Sequence, residues 1–275
     1  MTDKDGGFYS AEDADSEGEE GIFYIWTEKE LVEILGEDEG QKLAKVFGFT
    51  LVGNFQEEAS GHTTGNNIPY FPKDREILAK KSDMNLNDFN AFIEKSRQKL
   101  FAVREKRIHP LKDDKILTDW NGLMIAALSL GGQVLGDEIY IDAAKNAGRF
   151  VLNSLRDKNG KLMKRSRLGK SGLQPHLDDY SFMVFGLLNL YEATFDPSYL
   201  KSALELSTIM VDDFVDENGG FFIGSKDAEK LMIRAKDSYD GAIPSGNSVA
   251  AMNLFRPGKI TGDTKWTNLG QKTLK

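Results

Sequence analysis

The chain contains no cysteine. Its own residues therefore supply no disulfide, no thiolate nucleophile and no cysteine-ligated zinc. Long apolar runs are also missing. None reaches the ~18 residues that a membrane-crossing helix requires, so no membrane partner is expected. Basic residues are the minority, 35 Lys and Arg against 43 Asp and Glu, for a net charge of −8 and a pI of about 5.1. That balance does not favour nucleic acid or an anionic membrane surface as a partner. The opening MTDKDGGFYS has no apolar secretory-signal core, and a cytoplasmic location is the default expectation. What remains is ordinary for a soluble globular chain: 40% hydrophobic and 28% charged over 275 residues, enough to bury a core.

The stretch His109 to Leu130, HPLKDDKILTDWNGLMIAALSL, organises the rest. An acid-rich loop through Asp113, Asp114 and Lys115 turns into a helix that opens at Asp119-Trp120-Asn121-Gly122. Thr118 or Asp119 is the expected N-cap, because a short side-chain oxygen accepts the orphan amides of a first turn. Leu123 to Leu130 leaves almost no polar face, so this helix is expected to be buried nearly all round.

That stretch recurs. Sixty residues on, Asp179-Tyr180-Ser181-Phe182 matches Asp119-Trp120-Asn121-Gly122, and Gly136-Asp137 falls on Asp196-Pro197. A further sixty-six places Ser245-Gly246-Asn247-Ser248 on Asp179 to Phe182 and Gly262-Asp263 on Asp196-Pro197. A fixed period sets the architecture. Each unit reads as an apolar helix, a Gly/Asp/Pro break, an amphipathic helix and a short Gly-centred β-hairpin. DKDGGFY at Asp3 to Tyr9 matches DENGGFF at Asp216 to Phe222. The chain is therefore expected to open on the return hairpin of a helix pair it does not include, and to stop within the last pair, Thr264 to Lys275.

Ahead of the repeats, SAEDADSEGEEG at residues 10–21 places Glu12, Asp13 and Asp15 in a solvated acidic loop or a loop aimed at the helix mouths. Gly18 is off the spacing of an EF-hand. Ile22 to Trp26, IFYIW, reads as a strand paired with Gly6 to Tyr9. Thr27 with Glu30 is a capping box, and helices are expected over 39–47, 74–81, 86–104 and 138–156. The basic run Lys164, Arg165, Arg167, Lys170 reads as a solvated edge strand.

If the apolar helices are the inner ones, their N-termini point one way and three polar loops converge. The mouth then holds Asp114, Asp119, Trp120 and Asn121; His176, Asp178, Asp179 and Tyr180; and Asp240, Ser245 and Asn247. Carboxylates, amides and aromatics together suit a sugar-like ligand, and carboxylate pairs are what glycosidic cleavage needs. Asp119 and Asp179 are the acid/base candidates and His176 the proton carrier. The other members are candidates for substrate contact. No motif points to a cofactor or a metal.

EDADSEGEEGIFYIWT, HPLKDDKILTDWNGLMIAAL, LDDYSFMVFGLLNLYEATFD, ENGGFF and DGAIPSGNSVAAMNL resemble a family of thioredoxin-domain-containing proteins, the spermatogenesis-associated protein 20 and YyaL-like group. The resemblance implies an N-terminal thioredoxin-like domain, not represented here, followed by an (α/α)6 toroid similar to six-hairpin glycosidases and N-acylglucosamine 2-epimerases. The expected fold is thus all-α, with residues 1–275 an incomplete (α/α)6 toroid carrying short β-hairpins between helix pairs. The function it implies is glycosidase- or epimerase-like. The alternative is a non-catalytic module serving the thioredoxin-like domain.

Overall fold

The computed structural model describes residues 1–56, 61–229 and 232–274. They form two compact units, Glu12–Lys112 and Met1–Ala11 with Asp113–Lys275.

The first unit carries α1 (Glu28–Leu35), α2 (Glu37–Val46), α3 (Arg75–Lys81) and α4 (Leu86–Arg104). The capping box at the start of α1 is present: Thr27 Oγ1 accepts from the Glu30 amide at 3.2 Å, and Glu30 Oε2 accepts from the Thr27 amide at 2.8 Å. Trp26, Leu31, Leu43, Phe89 and Ile93 are buried together as its core. The acidic loop closes as a tight hairpin, Asp15–Ser16 against Glu19–Glu20, around Glu17 and Gly18 at positive φ. Ile22 to Trp26 is not the expected strand. It is a run of turns, and Trp26 bridges Asn67. The reason is Arg107, whose guanidinium donates to the carbonyls of Ile22, Phe23 and Ile25 and lies 4.0 Å over the Trp26 ring. Carbonyls that a ladder would have paired are already taken.

The second unit holds the repeats as helix pairs: α5 (Thr118–Leu135) with α6 (Glu138–Ser154), α7 (Leu177–Thr194) with α8 (Pro197–Phe214), and α9 (Gly246–Thr261) with α10 (Thr264–Thr273). Each pair turns at a left-handed residue followed by an aspartate N-cap. These are Gly136-Asp137, Phe195-Asp196 and Gly262-Asp263, and each Asp accepts from the amide two residues on. The caps align Asp137 with Asp196, one residue out of the sixty-residue offset, so cap chemistry overrides the sequence register. Phe195 adopts φ 54° where its counterparts are glycine, a conformation that costs a residue with Cβ roughly 1–2 kcal/mol.

The return hairpins repeat as well. Asp3, Asp157 and Asp216 each donate an amide to the carbonyl four residues on, Gly7, Lys161 and Gly220, and each carboxylate accepts the amide two residues on. Isolated bridges follow at Phe8, Leu162 and Phe221. These three equivalent residues are held by the next apolar helix. Asn121 accepts from the Phe8 amide and donates back to its carbonyl. Asn247 does the same to Phe221, and the Tyr180 hydroxyl accepts from the Leu162 amide at 3.0 Å. Asn247→Ala strands the buried Phe221 amide and carbonyl together. Unfolding in urea is expected to show a loss of about 2–3 kcal/mol.

α7 sits between α5 and α9, and its Phe182, Met183, Val184, Leu187, Leu188 and Leu190 are fully buried. α5 departs from expectation. Ile125, Ala126 and Ser129 are buried, but Val134 and Leu135 are 75% and 67% exposed. Among the described residues α5 packs mainly against α7 and α6, and its apolar composition exceeds the surface it buries. α5 and α7 cross at glycines: Gly122 lies against the Phe182 carbonyl, and a Cβ on Gly186 would come 2.6 Å from the Gly122 oxygen.

Candidate functional site

The starts of α5, α7 and α9 lie side by side. The Asp119 amide, at N2 of α5, donates to Asp179 Oδ1 at 3.2 Å. Gly246, at N1 of α9, leaves room where a Cβ would collide with Leu177 and Asp178 Oδ1. Three helix N-termini therefore face one locality and add a positive field there.

Lys164 is bound into that locality by two carboxylates. Its Nζ is 2.6 Å from Asp119 Oδ2 and 3.3 Å from Asp179 Oδ1. Asp179 has no exposed surface. Its other oxygen accepts the His176 amide at 2.8 Å, so it caps its own helix. Burial, reinforced by the negative charge of Asp119, pushes the Asp179 carboxyl up to about 7, although Lys164 acts the other way. Burial opposes the charge on Lys164, but Asp179 and Asp119 hold its pKa above the ordinary lysine value. Asp119 and Asp179 thus share one ammonium, and both oxygens of Asp179 accept hydrogen bonds, from the Asp119 amide and Lys164 on one side and the His176 amide on the other.

Asp178 differs from its neighbour. It is only partly buried, and its carboxylate makes no hydrogen bond or ion pair among the described residues. It rests over Gly246, in the charge field of Lys164, Asp119, His176 and Asp237. Burial is the main cause that raises its pKa. His176 is exposed and borders a cleft of about 560 Å³ with Ile223, Gly224 and Arg234.

The other expected members divide. Trp120 is 44% exposed beside Asp119. Tyr180 is not at the surface: it is fully buried against Phe214, its pKa is pushed up to about 12 chiefly by burial, and its hydroxyl is spent on Leu162. Asn121 and Asn247 likewise spend their amides on hairpin backbone. Asp240 caps the start of α9, accepting from the Ser245 amide and the Ser248 hydroxyl, and Ser245 caps Ser248. Asp114 pairs with Arg167 at 2.5 Å in a separate cleft. Neither Thr118 nor Asp119 is the N-cap of α5. Leu117 holds that position, Thr118 donates to the Met163 carbonyl, and Asp119 accepts from the Trp120 amide. Glu12, Asp13 and Asp15 belong to the other unit. Lys164 is the residue that sequence reasoning missed: it is not part of a solvated edge, its side chain being 22% exposed. Its sequence carried no distinct signal, since Arg165, Arg167 and Lys170 stand beside it.

No family model matches the chain. It is similar to spermatogenesis-associated protein 20 of Homo sapiens. The identity is 36% over 295 aligned positions, covering 97% of this chain and 37% of the human protein. A Caenorhabditis elegans protein is 31% identical over 282 positions, covering 93% and 38%. The chain thus spans less than two-fifths of the length of these curated relatives. Among solved structures, an α-mannanase of glycoside hydrolase family 76 from Bacteroides thetaiotaomicron superposes with a TM-score of 0.51 at 20% identity, over 61% of this chain and 46% of that one. Cellobiose 2-epimerase from Bacillus thermoamylovorans superposes at 0.50 and 18%, over 60% and 45%. The fold is that of the six-hairpin glycosidase and epimerase toroids. Among the described residues no helix is long and apolar enough to cross a membrane.

Proposed function

We propose that the shared mouth of α5, α7 and α9 performs acid–base chemistry on a sugar-like polyol, in the manner of a glycosidase or a sugar epimerase. The observation that carries this reading is Asp178. It is a partly buried carboxyl with no bonding partner, set over Gly246, next to an exposed His176. A general acid needs a raised pKa and a free proton-bearing oxygen, and Asp178 offers both. Asp119 and Asp179 stand behind it as the carboxyl groups that hold Lys164 and the start of α7, which leaves Asp178 and His176 as the candidates to touch substrate. Trp120 supplies an exposed ring at the rim. The likeness to sugar-processing toroids supports the substrate class as fold-level analogy. The thioredoxin-like domain implied by the motif resemblance is proposed as a partner in the full-length protein, outside the aligned region.

The test is thermal unfolding of wild type and Asp178→Asn against a panel of mono- and disaccharides. A sugar at about ten times its Kd adds about 1.4 kcal/mol to the stability of the protein that binds it. At least one sugar is expected to raise the wild-type midpoint and to leave the variant unmoved, while the two proteins unfold alike without sugar. No shift with any sugar, or equal shifts in both, would return the domain to the non-catalytic reading.

A further inference from the structure

A second cleft, of about 620 Å³, lies within the repeat unit and shares no lining residue with the mouth. Its floor is apolar: Ile116 and Phe150 are 4% and 9% exposed. Its polar groups are mostly acceptors. Asp3, Asp5 and Asp114 line it against a single lysine, Lys4. Asp3 is held ionised below the usual carboxylate range by the Asp5 amide and the Tyr9 hydroxyl. Asp114 uses only Oδ1 on Arg167. Ser166 is 3% exposed and lines the cleft, and its hydroxyl has no hydrogen-bond partner among the described residues. A buried polar group is ordinarily paired, so this hydroxyl, able to accept as well as donate, is available to a ligand in the cleft.

The rim is apolar at one point. Leu168 lines the same cleft from the turn between Arg165–Arg167 and Lys170–Gly172. It adopts φ 50°, followed by Gly169 at φ 72°. Asn or Gly is the usual occupant of such a turn position. Here an 82%-exposed leucine stands there instead, an apolar group at the edge of the cleft.

We propose that this cleft binds a small organic cation, a primary amine carrying a short apolar chain or ring. The ammonium has three donors and no acceptor, which complements Asp5, the free oxygen of Asp114 and the Ser166 hydroxyl. The apolar part lies over Ile116 and Phe150, beside Leu168. A bare metal ion is less well served, because among the described residues no three His, Cys, Asp or Glu side chains are grouped to hold one. A neutral polyol fits less well, since three carboxylates stand against Lys4 and the Arg167 guanidinium that pairs with Asp114, which leaves the cleft net negative.

The test is calorimetric titration of the full chain with phenethylamine and with 2-phenylethanol, its uncharged counterpart. Phenethylamine is expected to bind, and 2-phenylethanol to bind at least about tenfold more weakly, because a charged hydrogen-bonded contact is lost. Asp5→Asn and Ser166→Ala are each expected to weaken the amine by roughly tenfold, with unchanged thermal midpoints showing that the fold is kept. Absence of amine binding, equal binding of the alcohol, or full affinity in both variants would overturn the proposal. None of these outcomes depends on whether the mouth is catalytic.

Discussion

Lys164→Met is expected to destabilise the protein by about 3 kcal/mol at pH 7.5 and by about 1 kcal/mol at pH 5. Removing one partner of a buried ion pair is costly because the other charge is left without compensation. Here two carboxylates lose their cation, and one of them, Asp179, has no exposed surface. The pH dependence follows from the direction of the Asp179 shift. Its folded pKa, about 7, lies above the ordinary carboxylate value of 3.8. Its stabilising contribution is therefore complete below the unfolded pKa and is lost as pH rises through about 7. In the variant the folded pKa rises further, since Lys164 had been holding it down. At pH 5 Asp179 is already neutral and only the Asp119 pairing is missing. At pH 7.5 Asp179 must either strand a charge or take up a proton. Urea unfolding at the two pH values measures the difference, and an equal loss at both would mean that Asp179 is ionised throughout.

The second large effect lies at the helix crossing. Gly122→Ala is expected to cost roughly 3 kcal/mol or more, near the upper end for overpacking, although alanine is the better helix former by about 1 kcal/mol. The new Cβ would fall on the carbonyl and amide of Phe182–Met183. Those are backbone atoms inside α7, and no rotamer change relieves the clash. α5 and α7 must separate, which also pulls the Asp119 amide away from Asp179. A thermal melt of Gly122→Ala beside Gly131→Ala, a site in the same helix where a Cβ meets nothing, separates the crossing from helix propensity. A drop of the same size in both variants would show that the crossing is not the cause.

Much of the architecture was legible. Periodicity, Gly/Asp breaks and the DKDGGFY–DENGGFF match are local features of one chain, and each corresponds to a local structural device: an αL residue, an aspartate cap, an aspartate turn. The extent of α5 burial was not legible. An apolar helix reads the same whether it has neighbours on one side or two, and Val134 and Leu135 could be placed only by knowing what stands beside them. The site was harder still. Acids, amides and rings at a helix start look alike in sequence, whether they face solvent or bond to backbone. Tyr180, Asn121 and Asn247 proved to be clasps, because residues of the preceding hairpins present backbone groups to them. Asp178 and Asp179 are adjacent, yet the helix turns one inward and the other toward Gly246. Lys164 gave little warning, since three other basic residues surround it in the chain.

The clasp on Phe8 bears on the order in which the protein acquires its form. The Asn121 side chain that holds Phe8 is 113 residues downstream, whereas Asn247 reaches back only 26 to Phe221. During synthesis Phe8 leaves the ribosome long before α5 exists to receive it. Closing so long a loop is slower and entropically dearer than closing the short one. The hairpin around Phe8 is therefore expected to dock late, after α5 has formed, and to be open to protease on a nascent or partly unfolded chain.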